Sequence, residues 1–179
     1  MNTHVVLVNS NDEPIGLMPK LEVHQKGLLH RAFSIFIVNA NGEIMMQQRV
    51  LNKYHSGGLW TNTCCSHPGI DETIQEAANR RLKEEMNISC DLMFVSKFIY
   101  KAEFVNGLIE HEYDHVFFGY SDNIPVINKS EASDWKWMNI DELKEDLNIN
   151  PSSYTVWLKP ALEQLVRYLL AKKQLINFK

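Results

Sequence analysis

The stretch from Gly57 to Ile88, GGLWTNTCCSHPGIDETIQEAANRRLKEEMNI, leaves fewer choices than any other part of this chain. The Gly57-Gly58 turn is followed by a short extended segment, Leu59 to Thr63, then by a Cys-Cys-Ser-His cluster and a Pro-Gly turn. Beyond that turn Ile74, Ala78, Leu82 and Met86 recur at every fourth position with Ala77 beside them, which predicts one buried face of a helix. Thr73 and Glu76 are spaced as a capping box at its start. Arg80, Arg81, Glu84 and Glu85 occupy the polar face. One loop-helix unit therefore holds a thiol, an imidazole, carboxylates and arginines, and it is the expected seat of the chemistry.

The flanking segments predict a mixed sheet with several helices, an α+β class organised as a single domain over residues 1–179. Val5 to Val8 reads as a first strand ending at the Asn-Ser-Asn-Asp turn. Pro19 suits the first position of a brief helix that puts Lys20 and His24 on one face. His30 precedes a strand over Phe33 to Asn39. The Asn41-Gly42 turn predicts a β-hairpin whose second arm, EIMMQQR, ends at Arg49. A polar loop, 50–56, carries Lys53 and His55. Leu92 to Phe104 is β-rich and turns back at Asn106-Gly107 into LIEHEYDHVFFGY. On that return strand Glu110, Glu112 and Asp114 share one face and His111, Tyr113 and His115 the other. Residues 122–133 read as loop, and Asp134 to Met138 as a short strand. Asn139 with Glu142 predicts a second capping box, and Pro151-Ser152-Ser153 a break. The last helix places Leu162, Leu165, Val166, Leu169 and Leu170 on one face.

The hydrophobic fraction of 45% is ordinary for a folded domain, and a net charge of −4 with no long basic run argues against nucleic acid as a partner. Neither a signal peptide nor a membrane span is legible. Cys64, Cys65 and Cys90 are odd in number and two are adjacent, so no disulfide framework is expected and a reducing, cytoplasmic setting fits.

His24, His30, His67, Glu110 and Glu112 are imidazoles and carboxylates of the kind that hold a divalent transition ion. Their spacing does not bring them together, and each taken singly also reads as a hydrogen-bonded or solvated side chain. The helix is more specific. It can be laid on the Nudix signature G-x5-E-x7-R-E-U-x-E-E-x-G-U, in which U is bulky and apolar, as Ser66, Glu72, Arg80, Arg81, Leu82, Glu84, Glu85, Asn87 and Ile88. In this degenerate box, 66–88, serine and asparagine replace the two glycines, and Arg81 replaces the first glutamate of the triplet. Nudix hydrolases use those glutamates to hold magnesium, so a cation at 81 is better suited to the diphosphate than to its metal.

The broken box preceded by WTNTCCSHP resembles the type I isopentenyl-diphosphate isomerase family of the Nudix superfamily. HRAFSIFIVNANGEIMMQQR, GLIEHEYDHVF and YTVWLKPAL resemble further family segments in the same order, from about Val5 to the last helix. The resemblance implies a Nudix-like mixed sheet flanked by helices, and an enzyme that interconverts isopentenyl and dimethylallyl diphosphate through a tertiary carbocation. It implies one divalent ion (manganese, magnesium or zinc) on His24, His30, His67, Glu110 and Glu112. It also implies Glu112, assisted by Tyr100, as proton donor, Cys65 as base, and Trp157 against the cation. Lys20, Arg49, Lys53 and Arg81 would hold the diphosphate, and Glu85 a magnesium ion that travels with it. Cys64, adjacent to Cys65 in an extended segment, would point the other way into the core. The expected partner is the small prenyl diphosphate alone, for a monomer or weak homodimer. The competing readings are a Nudix-type diphosphate hydrolase and a non-catalytic metal- or phosphate-binding module.

Overall fold

The fold was described from a computed structural model covering residues 4–177; residues 1–3 and 178–179 of the expected single domain lie outside the described residues. Nine strands and four helices run in the order β1 (His4–Val8), β2 (Pro14–Pro19), α1 (Lys20–Lys26), β3 (His30–Val38), β4 (Glu43–Arg49), β5 (Trp60–Thr61), β6 (Cys64–Ser66), α2 (Ile74–Met86), β7 (Met93–Glu103), β8 (Ile109–Tyr120), β9 (Ala132–Asn139), α3 (Ile140–Ile149) and α4 (Leu158–Asn177). A 3-10 turn, Pro151–Ser153, separates α3 from α4. The α+β expectation holds, with helices on both faces of a mixed sheet.

The strand β3 is the axis of the sheet. Its parallel pairing with β8 runs from His30 opposite Glu112 to Val38 opposite Tyr120, and its other edge takes β6, with Ser34 opposite Cys65. Side chains alternate along it: Phe36 and Val38 join the core under α3 and α4, whereas Phe33, Ile35 and Ile37 join the core under α2. A strand covered on both faces reads as a nearly unbroken apolar run, which is what SIFIV supplies. The α2 face formed by Ala77, Ala78, Leu82 and Met86 is buried as its spacing predicts, and both halves of the Thr73–Glu76 capping box are made.

Four local expectations change. The hairpin forms at the Asn41-Gly42 turn, but its arms share one registered pair, Val38 with Ile44, and then diverge; β4 pairs instead with β9 along its length and with β5. The segment 60–66 fills the wedge between the arms, one strand on each side. Pro14–Pro19 is an additional strand paired with β1, so Pro19 ends β2 and sits at the N-cap of α1 rather than inside it. Asn139 caps α3 by accepting from the Asp141 N–H, and no reciprocal Glu142 contact closes a box. Leu170 is 56% exposed, because the apolar stripe of α4 reaches the sheet through Leu162, Leu165, Val166 and Leu169.

Between β4 and β5 the 50–58 loop closes tightly enough that a Cβ on Gly57 would lie 2.3 Å from the Leu51 carbonyl oxygen. Backbone cannot yield as a flexible side chain can. Gly57→Ala is expected to destabilise the protein by about 1–3 kcal/mol, the usual range for forced overpacking, read as a fall of several degrees in the thermal unfolding midpoint by circular dichroism.

Candidate active site

The pairing register brings one row of side chains across the sheet. Tyr100 on β7 lies opposite Glu112 on β8, which lies opposite His30 on β3. All three belong to the sheet face that carries Phe36, Val38, Val116 and Phe118 farther along. That face is apolar where α4 covers it and polar at the end where Glu110, Glu112 and Asp114 follow one another at the two-residue strand repeat.

Three of the expected imidazoles converge on the two glutamates, and a fourth, His55, meets Glu110 from the loop after β4. His24, buried on α1, donates Nδ1–H to the Lys20 carbonyl at 2.7 Å and turns Nε2 to Glu110 Oε2 at 3.1 Å. His30 is fixed in the same way by the Leu28 carbonyl, leaving Nε2 3.5 Å from Glu112 Oε1 and 4.0 Å from Glu110 Oε2. His67, just past β6, sets Nε2 2.9 Å from Glu112 Oε1. Ligand atoms of His24, His30, His67 and Glu112 all lie within 4.8 Å of one another. His30 Nε2 is buried and makes no hydrogen bond, the condition of an atom that lacks its natural partner. Burial, with the nearby Lys20 ammonium, pulls the His67 pKa down to about 3, which keeps the ring neutral as a ligand must be. The donor set fits a divalent ion bound by nitrogen and oxygen. His111, on the opposite strand face, bonds to the Gly27 carbonyl and takes no part.

Each glutamate has a second oxygen pointing outward. Tyr100 donates its hydroxyl to Glu112 Oε2 at 2.6 Å, and burial beside that carboxylate keeps the phenol protonated. Asp114, 1% exposed, is pushed well above the ordinary carboxylate range by burial and by Glu112, and Ser34 shares a 2.8 Å hydrogen bond with it.

Cys65 lines the same cavity as Glu112, together with Tyr100 and Trp157. Because β6 and β8 pair with opposite edges of β3, the thiol and the carboxyl approach from its two sides. Cys64, 0% exposed, turns into the core beneath α2 as expected. Burial pushes the Cys65 thiol up to about 12, against the pull of the Arg49 guanidinium. Trp157 is held by its indole N–H on Thr61 Oγ1 at 3.0 Å, and the Arg49 guanidinium lies 5.2 Å from its ring centre.

The four basic residues divide between two adjoining cavities. Arg49 lines the inner one, Lys53 and Arg81 the outer one, and Lys20 borders both. Arg81 pairs with Glu84 at 2.7 Å, Glu85 at 2.5 Å and Glu131 at 3.1 Å, and Lys53 with Glu131. Glu85, 5% exposed, also accepts from Gln47. Glu131 and His55 carry no spacing signal that marks them in the sequence: one lies in the 122–133 loop and the other in the loop after β4. Backbone bonds from Val126 and Asn128 to the last turn of α2 bring the first of these loops to the box helix.

The comparisons with known proteins agree with this geometry. The NUDIX domain model matches residues 28–158. Curated proteins named isopentenyl-diphosphate Delta-isomerase align along almost the whole chain. One from Photorhabdus laumondii is 51% identical over 165 residues, covering 92% of this chain and 93% of its own. Another, from Pectobacterium atrosepticum, is 45% identical and covers 96% of both chains. This chain belongs to the isopentenyl-diphosphate Delta-isomerase family. The fold is that of Nudix proteins more widely: a Deinococcus radiodurans crystal structure matches with a TM-score of 0.73 at 18% identity, covering 88% of this chain and 96% of its own. A MutT protein from Methanosarcina mazei matches at 0.63 and 17%, covering 78% and 94%. Among the described residues no helix is long and apolar enough to cross a membrane.

Thiolate, not thiol, is what alkylating reagents attack. With a pKa near 12, Cys65 carries about three orders of magnitude less thiolate at pH 8 than an ordinary cysteine. Iodoacetamide at pH 8 should therefore modify Cys90 well before Cys65, and the Cys65 rate should climb about tenfold per pH unit up to pH 10, followed by mass spectrometry of the peptides. Modification of Cys65 at the rate of a free thiol at pH 8 would contradict this environment.

Proposed function

We propose that this chain interconverts isopentenyl diphosphate and dimethylallyl diphosphate by a proton addition and a proton removal shared between Glu112 and Cys65. The observation that carries the reading is that these two groups line one cavity together with Tyr100 and Trp157. In the forward direction the Glu112 carboxyl gives its proton to the terminal alkene carbon, leaving a tertiary carbocation. Cys65 then removes a proton from the carbon next to the one bearing diphosphate, and the released C–H electron pair forms the new double bond. A carbocation makes its neighbouring C–H acidic enough for a weak base to suffice. Water would trap the cation, and the Tyr100 and Trp157 rings that line the cavity would shield it. Trp157 already receives the Arg49 guanidinium, and cation–π attraction in a desolvated site is worth about 2 kcal/mol.

Burial pushes the Cys65 thiol up, whereas the Glu112 carboxyl is lowered from its ordinary range, despite its burial and the neighbouring Glu110 charge, by His67 and the nearby His30 imidazole. A forward turnover leaves Glu112 ionised and Cys65 protonated, and the reverse reaction starts from there with Cys65 as donor. One proton must pass from Cys65 back to Glu112 between forward cycles. Tyr100, remaining a phenol, keeps the second carboxyl oxygen in place throughout.

His24, His30, His67, Glu110 and Glu112 would hold one divalent ion, manganese, magnesium or zinc. When bound it would supply positive charge that makes the Glu112 carboxyl a stronger acid. Lys20, Arg49, Lys53 and Arg81 would hold the diphosphate, and Glu85 the magnesium that accompanies it. Arg81 argues against the hydrolase alternative: it puts a cation, paired with Glu84, Glu85 and Glu131, where a hydrolase has the first glutamate of the triplet. Three free cysteines suit the expected cytoplasmic setting.

Incubation with isopentenyl diphosphate and magnesium in deuterated water, followed by NMR, should yield the allylic isomer with deuterium incorporated. Release of phosphate or pyrophosphate without an allylic product would make the chain a hydrolase. Cys65→Ala and Glu112→Gln should each lower kcat by about 10²–10⁴-fold, the range for losing a general acid or base, while Cys64→Ala retains most of the activity. Near-normal turnover in folded Glu112→Gln would remove Glu112 from its role.

A further inference from the structure

The two glutamates of the site are partnered in the same pattern. Each directs one oxygen at the imidazoles and the other outward, Glu112 Oε2 to the Tyr100 hydroxyl and Glu110 Oε1 to His55 Nε2 at 2.8 Å. His55 is 7% exposed, although it lies in a surface loop. Its ring stacks on Phe104 with centres 4.8 Å apart and an interplanar angle of 17°, and meets the Trp157 ring edge-on at 6.0 Å. The other ring nitrogen, Nδ1, lies 3.3 Å from Ser56 Oγ, which is placed to donate to it. That leaves Nε2–H on the side of Glu110 Oε1. Arg49 grips the loop backbone through the Ser56 carbonyl at 3.2 Å and the His55 carbonyl at 3.4 Å. Ser56 takes a left-handed conformation, φ 52°, and only glycine fits at 57. The loop is built to hold this ring in place.

We propose that His55 is a positioning residue that fixes the Glu110 carboxylate from behind, so that Glu110 Oε2 faces the three metal-binding imidazoles, and that its ring closes the cavity beside Trp157. The inference rests on the metal site proposed above. His55 could alternatively be a ligand, since His24, His55 and Glu110 also present donor atoms within 4.8 Å of one another. His24 decides between the two roles. Its Nδ1 is committed to the Lys20 carbonyl, so its single free nitrogen, Nε2, would have to serve both groups. Nε2 can serve one ion, and the fuller set, with His30 and His67, claims it. An outer partner that orients a ligand commonly contributes 10–100-fold in metal affinity.

The test measures Mn²⁺ binding to the full chain without substrate, by electron paramagnetic resonance, alongside steady-state kinetics. His55→Phe keeps an aromatic wall and loses the donor. It should weaken Mn²⁺ binding about 10–100-fold and lower kcat, with KM for isopentenyl diphosphate within about twofold. His55→Gln, which restores an N–H at similar reach, should recover Mn²⁺ affinity to within about threefold of the parent protein; His55→Leu replaces the phenylalanine variant if that one does not fold. With Co²⁺ in place of Mn²⁺, the visible absorption bands should keep their positions in His55→Gln. Unchanged Mn²⁺ affinity in folded His55→Phe overturns the positioning role, and so does a shifted cobalt spectrum, which would make His55 a ligand. His24→Ala separates the two levels of the argument. If it too leaves Mn²⁺ affinity unchanged, the metal site itself fails and this inference falls with it.

Discussion

Glu110, Glu112 and Asp114 stand on one face of β8 and are 3%, 8% and 1% exposed. Removing a carboxylate from water costs several kcal/mol unless other groups replace the solvent, and neighbours of like charge add to that cost. The three are compensated in different ways. Glu110 is held by His24 and His55; Glu112 by His67 and Tyr100, with His30 close by; Asp114 accepts from Ser34, its carboxyl pushed well above the ordinary range by burial and by Glu112. The compensating groups come from α1, β3, the loop after β4, β6 and its exit, and β7. What draws these elements around one end of β8 is largely the need to satisfy its buried acids, and the same partners make the site.

One sheet face thus has two characters. Where Phe36, Val38, Val116 and Phe118 line it, α4 covers it and the contact is apolar. A few residues away the same alternation presents His30, Ser34, Glu112 and Asp114, and the aromatic walls over them leave a cavity. Strands therefore carry Glu112, Cys65 and His30, while His24, His67, the lysines, Arg81 and His55 arrive on helices and loops. That division suits a reaction whose reacting carbons must be enclosed and whose charged tail must enter and leave.

The Nudix frame accommodates this chemistry because its box helix packs through Ala77, Ala78, Leu82 and Met86, none of which touches the reaction. Its polar face is free to change. Arg81 turns a carboxylate cluster into an alternating charge network with Glu84, Glu85 and Glu131, and the neighbouring strand contributes a thiol. Solved Nudix structures share the fold with this chain at identities below 20%, consistent with a frame that depends on apolar alternation and turn chemistry more than on the residues of any one site.

Local rules were enough for α2, its capping box, the Asn41-Gly42 turn and the β7–β8 hairpin, because spacing, caps and turns act over a few residues. They also put Glu110 and Glu112 on one face and Cys64 and Cys65 on opposite ones, since the strand repeat is two. The pattern of the broken box, read together with the Cys-x-His and Glu-x-Glu segments, pointed to the family. Tertiary structure decided the rest. That β4 would leave β3 for β9, that Leu170 would face solvent, and that Asn139 would cap alone depended on which neighbours packed where. His55 and Glu131 were silent in the sequence for the same reason: His55 acts on Glu110 at 55 positions' remove, Glu131 on Arg81 and Lys53 at 50 and 78, and no local periodicity encodes a contact that exists only once the sheet has closed.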